Sequence, residues 1–225
     1  MKEIYLLSFS YTGSESTVAD DTITNPNVST TVTGLAGNAT ALQIRVGYFG
    51  YCLISGGITS CSTDAASLAA LVQGIGWRDS LNLLYVAKAF HNDTIFSGLI
   101  FISIIFGFVC FLLLGTFPNW HTETGDDGSE REVKPFPSRP VTQLALLLVS
   151  AASLFALVAA LWQHLSGAAT STMAGTLMYG TVSGQVGAGA MALGWIATAL
   201  LFVVMIGLLV MILSISVLAQ LTNDD

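Results

Sequence analysis

The sequence predicts a mainly α-helical membrane protein: a bundle of three transmembrane helices carrying a small extracellular β-sheet stapled by one disulfide. Three observations point to it. Only 9% of the 225 residues are charged and 53% are hydrophobic, where a soluble domain carries roughly 25% charge. From Val141 to Asn223 there is no Asp, Glu, Lys or Arg. Two of the three cysteines, Cys52 and Cys61, stand symmetrically about Gly56-Gly57. A net charge of -7, with no basic stripe, excludes nucleic acid as a partner.

The first element with a clear period is Leu42 to Val46. Leu42, Ile44 and Val46 point one way and Gln43 and Arg45 the other, as in a half-buried strand. Gly56-Gly57 then supplies the positive φ that a two-residue hairpin turn demands. With those glycines as the turn, Ser55 opposes Ile58, Ile54 opposes Thr59, Leu53 opposes Ser60 and Cys52 opposes Cys61. That last pair falls on a non-hydrogen-bonded position, where Cα atoms are about 4.5 Å apart, at the near edge of the disulfide range. A disulfide is expected, and closing its short loop should stabilise the hairpin by roughly 2.5–3 kcal/mol. A zinc site would need further thiolates or histidines nearby, and a redox pair is more often C-x-x-C.

After Cys61, "STDAASLAALVQGIGW" reads as a short helix capped by Ser62 or Thr63. "RDSLNLLYVAKAF" reads as a second helix capped by Asp79 or Ser80, with the option of running into the first span. The outer domain is thus a small sheet with one or two helices.

Three apolar stretches can cross a bilayer core, which needs about 20 residues of helix. They run from Ile95 to Phe117, from about Thr142 to Gln163, and from about Leu193 to Leu218. Arg131, Lys134 and Arg139 in the first connection, and none in the second, place the first inside the cell and the second outside. The chain then divides into an extracellular domain over 1–93 and transmembrane helices over 94–117, 141–163 and 191–220. Between and after them lie a cytoplasmic loop over 118–140, an extracellular loop over 164–190 and a cytoplasmic tail over 221–225. Trp120 suits the inner interface, and Trp162 and Trp195 the outer one. Asn27 and Asn38 begin glycosylation sequons in the outer region; Asn92 begins a third, close to the bilayer.

Carrying the first 93 residues outward needs a hydrophobic segment, and "MKEIYLLSFSY" is too short an apolar run for a signal peptide. Either the first span inserts with its N-terminus outward or an upstream span precedes Met1. The second option is favoured, giving four spans in all.

The segment from Ser166 to Ala190 is uncharged but only weakly apolar; it reads as a loop, a membrane-dipping segment or an outer extension of the third helix, with a short reversal followed by helix from near Val182 favoured. Gly180 and Gly184, like Ala190 and Gly194, stand four apart and would place small side chains on one helical face, for packing within the chain or against a partner or a second copy. The acidic, then proline-rich inner loop reads as a flexible tether, with a docking segment as the alternative. Cys110, inside the first span, reads as a small packing residue.

Catalysis finds no support. His91, His121 and His164 fall outside, inside and outside the membrane, and no G-x-S-x-G, H-E-x-x-H or Walker loop is present. No cofactor or metal site is expected. Asp20-Asp21 lacks EF-hand spacing.

Gly47, Tyr48, Phe49, Cys52 and Cys61, with Gly50 between, resemble the signature of claudin-type four-span proteins. Phe49 stands where claudins carry tryptophan. Within that superfamily "IYLLSFSY", "RVGYFGYC", "ALWQH" and "GAGAMALGW" are most similar to the fungal mating-induced calcium regulators and membrane-fusion proteins. The likeness runs from Ile4 to Leu218. It implies a plasma-membrane protein that supports low-affinity calcium influx and cell fusion during mating, and it implies an additional first span. Expected partners are membrane lipids and other membrane proteins, either the calcium-influx machinery or further copies of the chain. The spans hold no acidic residue, and ion pathways usually carry intramembrane charge, so a regulator or accessory subunit is expected. The alternative is a structural organiser of plasma-membrane domains, like the related fungal cortical-patch proteins.

Overall fold

The computed structural model describes residues 4–12, 25–39, 41–95, 97–116, 121–124, 130–133 and 139–223. Contacts divide the chain into two units, the first made of residues 1–97 with 160–194 and the second of 98–159 with 195–225.

The first unit is built on a five-stranded antiparallel sheet. In chain order its strands are β1 (Leu7–Tyr11), β2 (Leu42–Val46), β3 (Tyr51–Ser55), β4 (Ile58–Ser62) and β7 (Val182–Val186). Their spatial order is β4-β3-β2-β1-β7. Register places Leu7, Phe9, Leu42, Ile44, Val46 and Leu53 on one face, each at most 1% exposed. Three helices, α1 (Pro26–Gly37), α2 (Ala65–Ile75) and α3 (Leu83–Thr94), belong to this unit. Helix α2 contacts β4 and α3 contacts β2, and both bring apolar side chains to the core, Leu68 and Val72 from α2 and Leu83, Ala87 and Phe90 from α3. The opposite face carries Ser8, Ser10, Gln43, Arg45, Ile54 and the cysteine pair.

The hairpin pairs Ser55 with Ile58, Ile54 with Thr59, Leu53 with Ser60 and Cys52 with Cys61. Gly56 and Gly57 form its turn with φ of 56° and 82°.

The cap of α2 differs from expectation, whereas Asp79 does cap α3, from three residues before the N-cap position. Helix α2 is capped by Asp64, whose carboxylate accepts from the Ala66 N–H, while Ser62 Oγ accepts from the Asp64 N–H. Asp64 wins because its carboxylate reaches the N2 amide. Helix α3 begins at Asn82, and the Asp79 carboxylate reaches forward to the Leu83 and Leu84 N–H groups. It ends at Thr94, with Ile95 extended, so it does not run into the first span. Helix α1 was not expected, since its Ser, Thr and Val favour other states. It holds with Asn25 as cap and Pro26 in its first turn, and with Thr30, Thr31 and Thr33 donating to carbonyls three or four residues back.

Among the described residues, three apolar helical stretches are long enough to cross a membrane: Gly98–Gly115, Pro140–Leu177 and Ala188–Val217. They lie in α4 (Gly98–Gly115), α5 (Arg139–Leu177) and α6 (Ala188–Asn223). The second unit holds α4 and packs Cys110, Ala145, Val149 and Leu208 together. It also contains a two-stranded hairpin, β5 (His121–Thr124) with β6 (Glu130–Val133), where a flexible tether was expected. Thr122 and Thr124 favour strand, and they are flanked by charge that masks the pattern. Trp120 and Lys134 lie outside the described residues, as do Asp20 and Asp21.

The segment 164–190 corrects the expectation of a loop. Helix α5 continues to Leu177, a turn through Tyr179 and Gly180 follows at φ of 51° and 73°, and β7 joins the sheet before α6 begins at Ala188. Weak apolarity misled here because alanine is the best helix former. Its hydroxyl neighbours are satisfied within the helix, as Ser171 and Thr172 donate to the Ala168 carbonyl. Gly180 and Gly184 therefore do not share a helical face. Gly184 lies in β7, where a Cβ would come within 2.7 Å of the Ser171 Cα, so the strand approaches α5 at backbone distance. Ala190 and Gly194 do lie on α6.

Candidate functional site

The cysteine-motif loop, Gly47 to Gly50, joins β2 to β3 and is held from several sides. The Gly47 N–H donates to the Gly50 carbonyl at 2.9 Å, closing the turn. Gly50 has no room for a side chain, because a Cβ would lie 2.6 Å from the Ser62 carbonyl oxygen at the end of β4. Tyr48 turns inward, packs against the Leu6, Ala190 and Met191 cluster, and donates its hydroxyl proton to Gln163 Oε1 at 2.5 Å. Gln163, in α5, is only 7% exposed, and its Nε2 is buried without a partner among the described residues.

From the other side, His91 Nε2 sits 3.2 Å from the Tyr48 carbonyl. A carbonyl only accepts, so this nitrogen carries the proton. The His91 ring also packs against Tyr51 at 5.1 Å between centroids. Close by in sequence, Trp162 Nε1 donates to the Thr94 carbonyl at 3.0 Å, tying α5 to the end of α3. Burial pushes the Tyr48 phenol above its ordinary value; burial, with the Asp64 carboxylate adding to it, does the same for Tyr51. Both phenols therefore stay neutral well past physiological pH.

Phe49 is the exception in this loop. It is 60% exposed, with its ring tilted against Tyr48 at 6.3 Å. A turn fixed by an internal hydrogen bond, a half-buried tyrosine and a histidine thus presents one free aromatic ring.

The disulfide is formed, with Cα atoms 4.1 Å apart. It sits on the polar face, beside Arg45, which pairs with Cys52 across the strands and lies 4.8 Å over the Tyr5 ring. Asn27 and Asn38 are exposed at the two ends of α1. Asn38 Nδ2 donates to the Gly34 carbonyl at 3.2 Å, so a glycan there would displace a helix-end bond. Cys110 is buried and lies 3.4 Å from the Ala145 carbonyl. Among the described residues, no three His, Cys, Asp or Glu side chains gather where a metal ion could be held.

Sequence reasoning found the motif loop but not its anchors, Gln163 and His91, nor the tie of Trp162 to Thr94. One signal was available: a glutamine at the end of an apolar run is costly unless it has a partner.

Residues 28–214 match a family model described as Ca2+ regulator and membrane fusion protein Fig1. No curated protein and no solved structure matches the chain.

Proposed function

Because the chain belongs to the Fig1 family of Ca2+ regulator and membrane fusion proteins, we propose that it acts at the plasma membrane, with residues 1–93 outside the cell. There it regulates low-affinity calcium influx and cell fusion during fungal mating through protein contacts of its sheet unit. One observation carries the contact reading: Phe49, an exposed aromatic, stands on a loop held by Tyr48, Gly50 and His91. Rigid aromatic anchors are the side chains that dominate interface energies, since little entropy is lost in ordering them. The apolar helices hold no acidic residue. That supports control of a separate pore over a carboxylate-lined pore of the chain's own.

The test is Phe49→Ser expressed in mating cells that lack the native gene. The variant should reach the surface at normal level, because the ring packs on no core, while calcium uptake and fusion fall severalfold. Full uptake and fusion with Phe49→Ser would remove the contact reading. Normal uptake and fusion in the deletion cells would remove the calcium and fusion reading as well.

A further inference from the structure

Away from the motif loop, α2 and α3 enclose a cleft of about 300 Å³. It exists because α2 turns Ala65, Ala66 and Ala69 toward it, and larger side chains there would close the gap. Such a volume lies at the low end of the roughly 300–1,000 Å³ of small-molecule sites. Two aromatic rings, Trp77 and Tyr85, line it together with the amides of Gln73 and Asn82, the carboxylate of Asp79 and the ammonium of Lys88.

Two of these residues are arranged unusually. Tyr85 is 72% exposed, so its ring contributes little to the core of its own unit. Asn82 holds the left-handed conformation at φ 52° in the N-cap position of α3, yet its side chain makes no capping bond. Asp79 has taken that role, with Oδ1 accepting from Tyr11 and Leu83 and Oδ2 from Leu84. Asn82 lines the cleft, and its amide is not committed to capping α3.

We infer that this cleft binds a neutral saccharide ring. A pyranose with equatorial hydroxyls has a flat face of axial C–H groups, which gains dispersion energy against an aromatic ring. Its rim of hydroxyls, each donor and acceptor, matches amides, a carboxylate and an ammonium. An apolar ligand would strip water from Gln73, Asn82 and Lys88 without replacing their hydrogen bonds. A polyanion would meet a single cation beside the Asp79 carboxylate. The inference does not rest on the calcium and fusion reading, and its readout is binding alone.

The experiment titrates cellotriose, and separately chitotriose, into the full chain held in lipid nanodiscs, read by saturation-transfer NMR. Millimolar binding is expected, with the strongest transfer to the axial C–H protons. Tyr85→Ala should lower affinity about tenfold, or ~1.4 kcal/mol. Tyr85→Phe should retain binding, because the ring and not the hydroxyl makes the platform. Gln73→Ala should weaken it severalfold. An unchanged unfolding temperature for Tyr85→Ala would separate lost contact from lost fold. Absence of transfer from both sugars at millimolar concentration would overturn the inference. So would binding that survives Tyr85→Ala and Gln73→Ala, or binding confined to an acidic triuronate.

Discussion

The sheet unit and the apolar helices use similar side chains under opposite rules. In the sheet, Leu7, Phe9, Ile44, Val46 and Leu53 are all fully buried, and polar residues alternate with them. In α4 only 11% of the spanning window is buried, and Ile104, Ile105, Phe108 and Phe111 are 57–68% exposed. Removing apolar area from water contributes about 25 cal/mol per Å², so the sheet's pattern selects one register. Lipid offers no such difference, so helix contacts are selected by small and hydroxyl side chains. Accordingly, the buried residues of the second unit include Ser103, Cys110, Ala145 and Ala152. Volume and backbone approach should therefore govern the sheet strongly, and hydrogen bonds between helices only weakly.

The sharpest test of the first half is Gly187→Ala. A Cβ there would lie 1.7 Å from the Tyr5 carbonyl oxygen, and the Gly187 N–H donates to the Leu6 carbonyl at 2.9 Å. Relief requires parting the chain at the β1–β7 edge, so a loss of at least ~3 kcal/mol is expected. Thermal unfolding followed by near-ultraviolet circular dichroism reads it, and a shift of only a degree or two would refute backbone approach as the constraint. Gly74, on α2 with nothing within 4 Å of its Cβ position, is the matched control, where alanine should stabilise.

Next in size is the staple. Cys52→Ser and Cys61→Ser should each cost about 2.5–3 kcal/mol through the short loop they open. The two losses should be similar, because either variant opens the same loop, with any excess at Cys52, which is 8% exposed where Cys61 is open to solvent. Surface delivery and denaturant unfolding measure it; a markedly unequal pair would mean that packing, not the cross-link, stabilises the hairpin.

In the helices, Ala145 is fully buried and Leu147 is 64% exposed. Ala145→Leu should cost ~1–3 kcal/mol by overpacking, while Leu147→Ala should be near neutral because its ring of neighbours is lipid. Resistance to unfolding in bicelles distinguishes them. Comparable losses at both sites would break the contrast between lipid-facing and packed positions.

What was legible in the sequence follows the same division. The Cys52–Cys61 register could be counted outward from Gly56-Gly57, since a hairpin is local and its period is two. The three long apolar helices were legible from length and hydropathy. Strand β7 was not: Val182, Gly184 and Val186 alternate, but the middle glycine hides the period. Its partner β1 also lies more than 170 residues away, with Phe9 opposite Gly184. Of the site, the loop Gly47 to Gly50 was legible as a motif. Its ties to Gln163 and His91 were not, because a single polar residue on a helix does not name the turn it will meet.

Among the packed positions the smallest loss is expected at Ser103, and it tests the second half of the contrast most directly. Its hydroxyl donates to the Ala152 carbonyl at 2.8 Å in a buried contact. In a low-dielectric interior such a bond looks valuable, yet what counts is the difference from the state in which the helices are apart. Separated in lipid, Ser103 can donate to a carbonyl one turn back on its own helix, as Ser150 does to Leu146 and Ser214 to Val210. The net loss for Ser103→Ala should then be only ~0.6 kcal/mol, with about 1.7 as the ceiling. A double-mutant cycle is blocked because the acceptor is backbone, so Ser103→Ala is compared with Ser103→Gly and Ser103→Thr. Threonine should retain the bond, and glycine should lose it along with helix propensity. A loss above ~3 kcal/mol for alanine, restored by threonine, would mean that this hydroxyl specifies the helix contact as strongly as burial specifies the sheet.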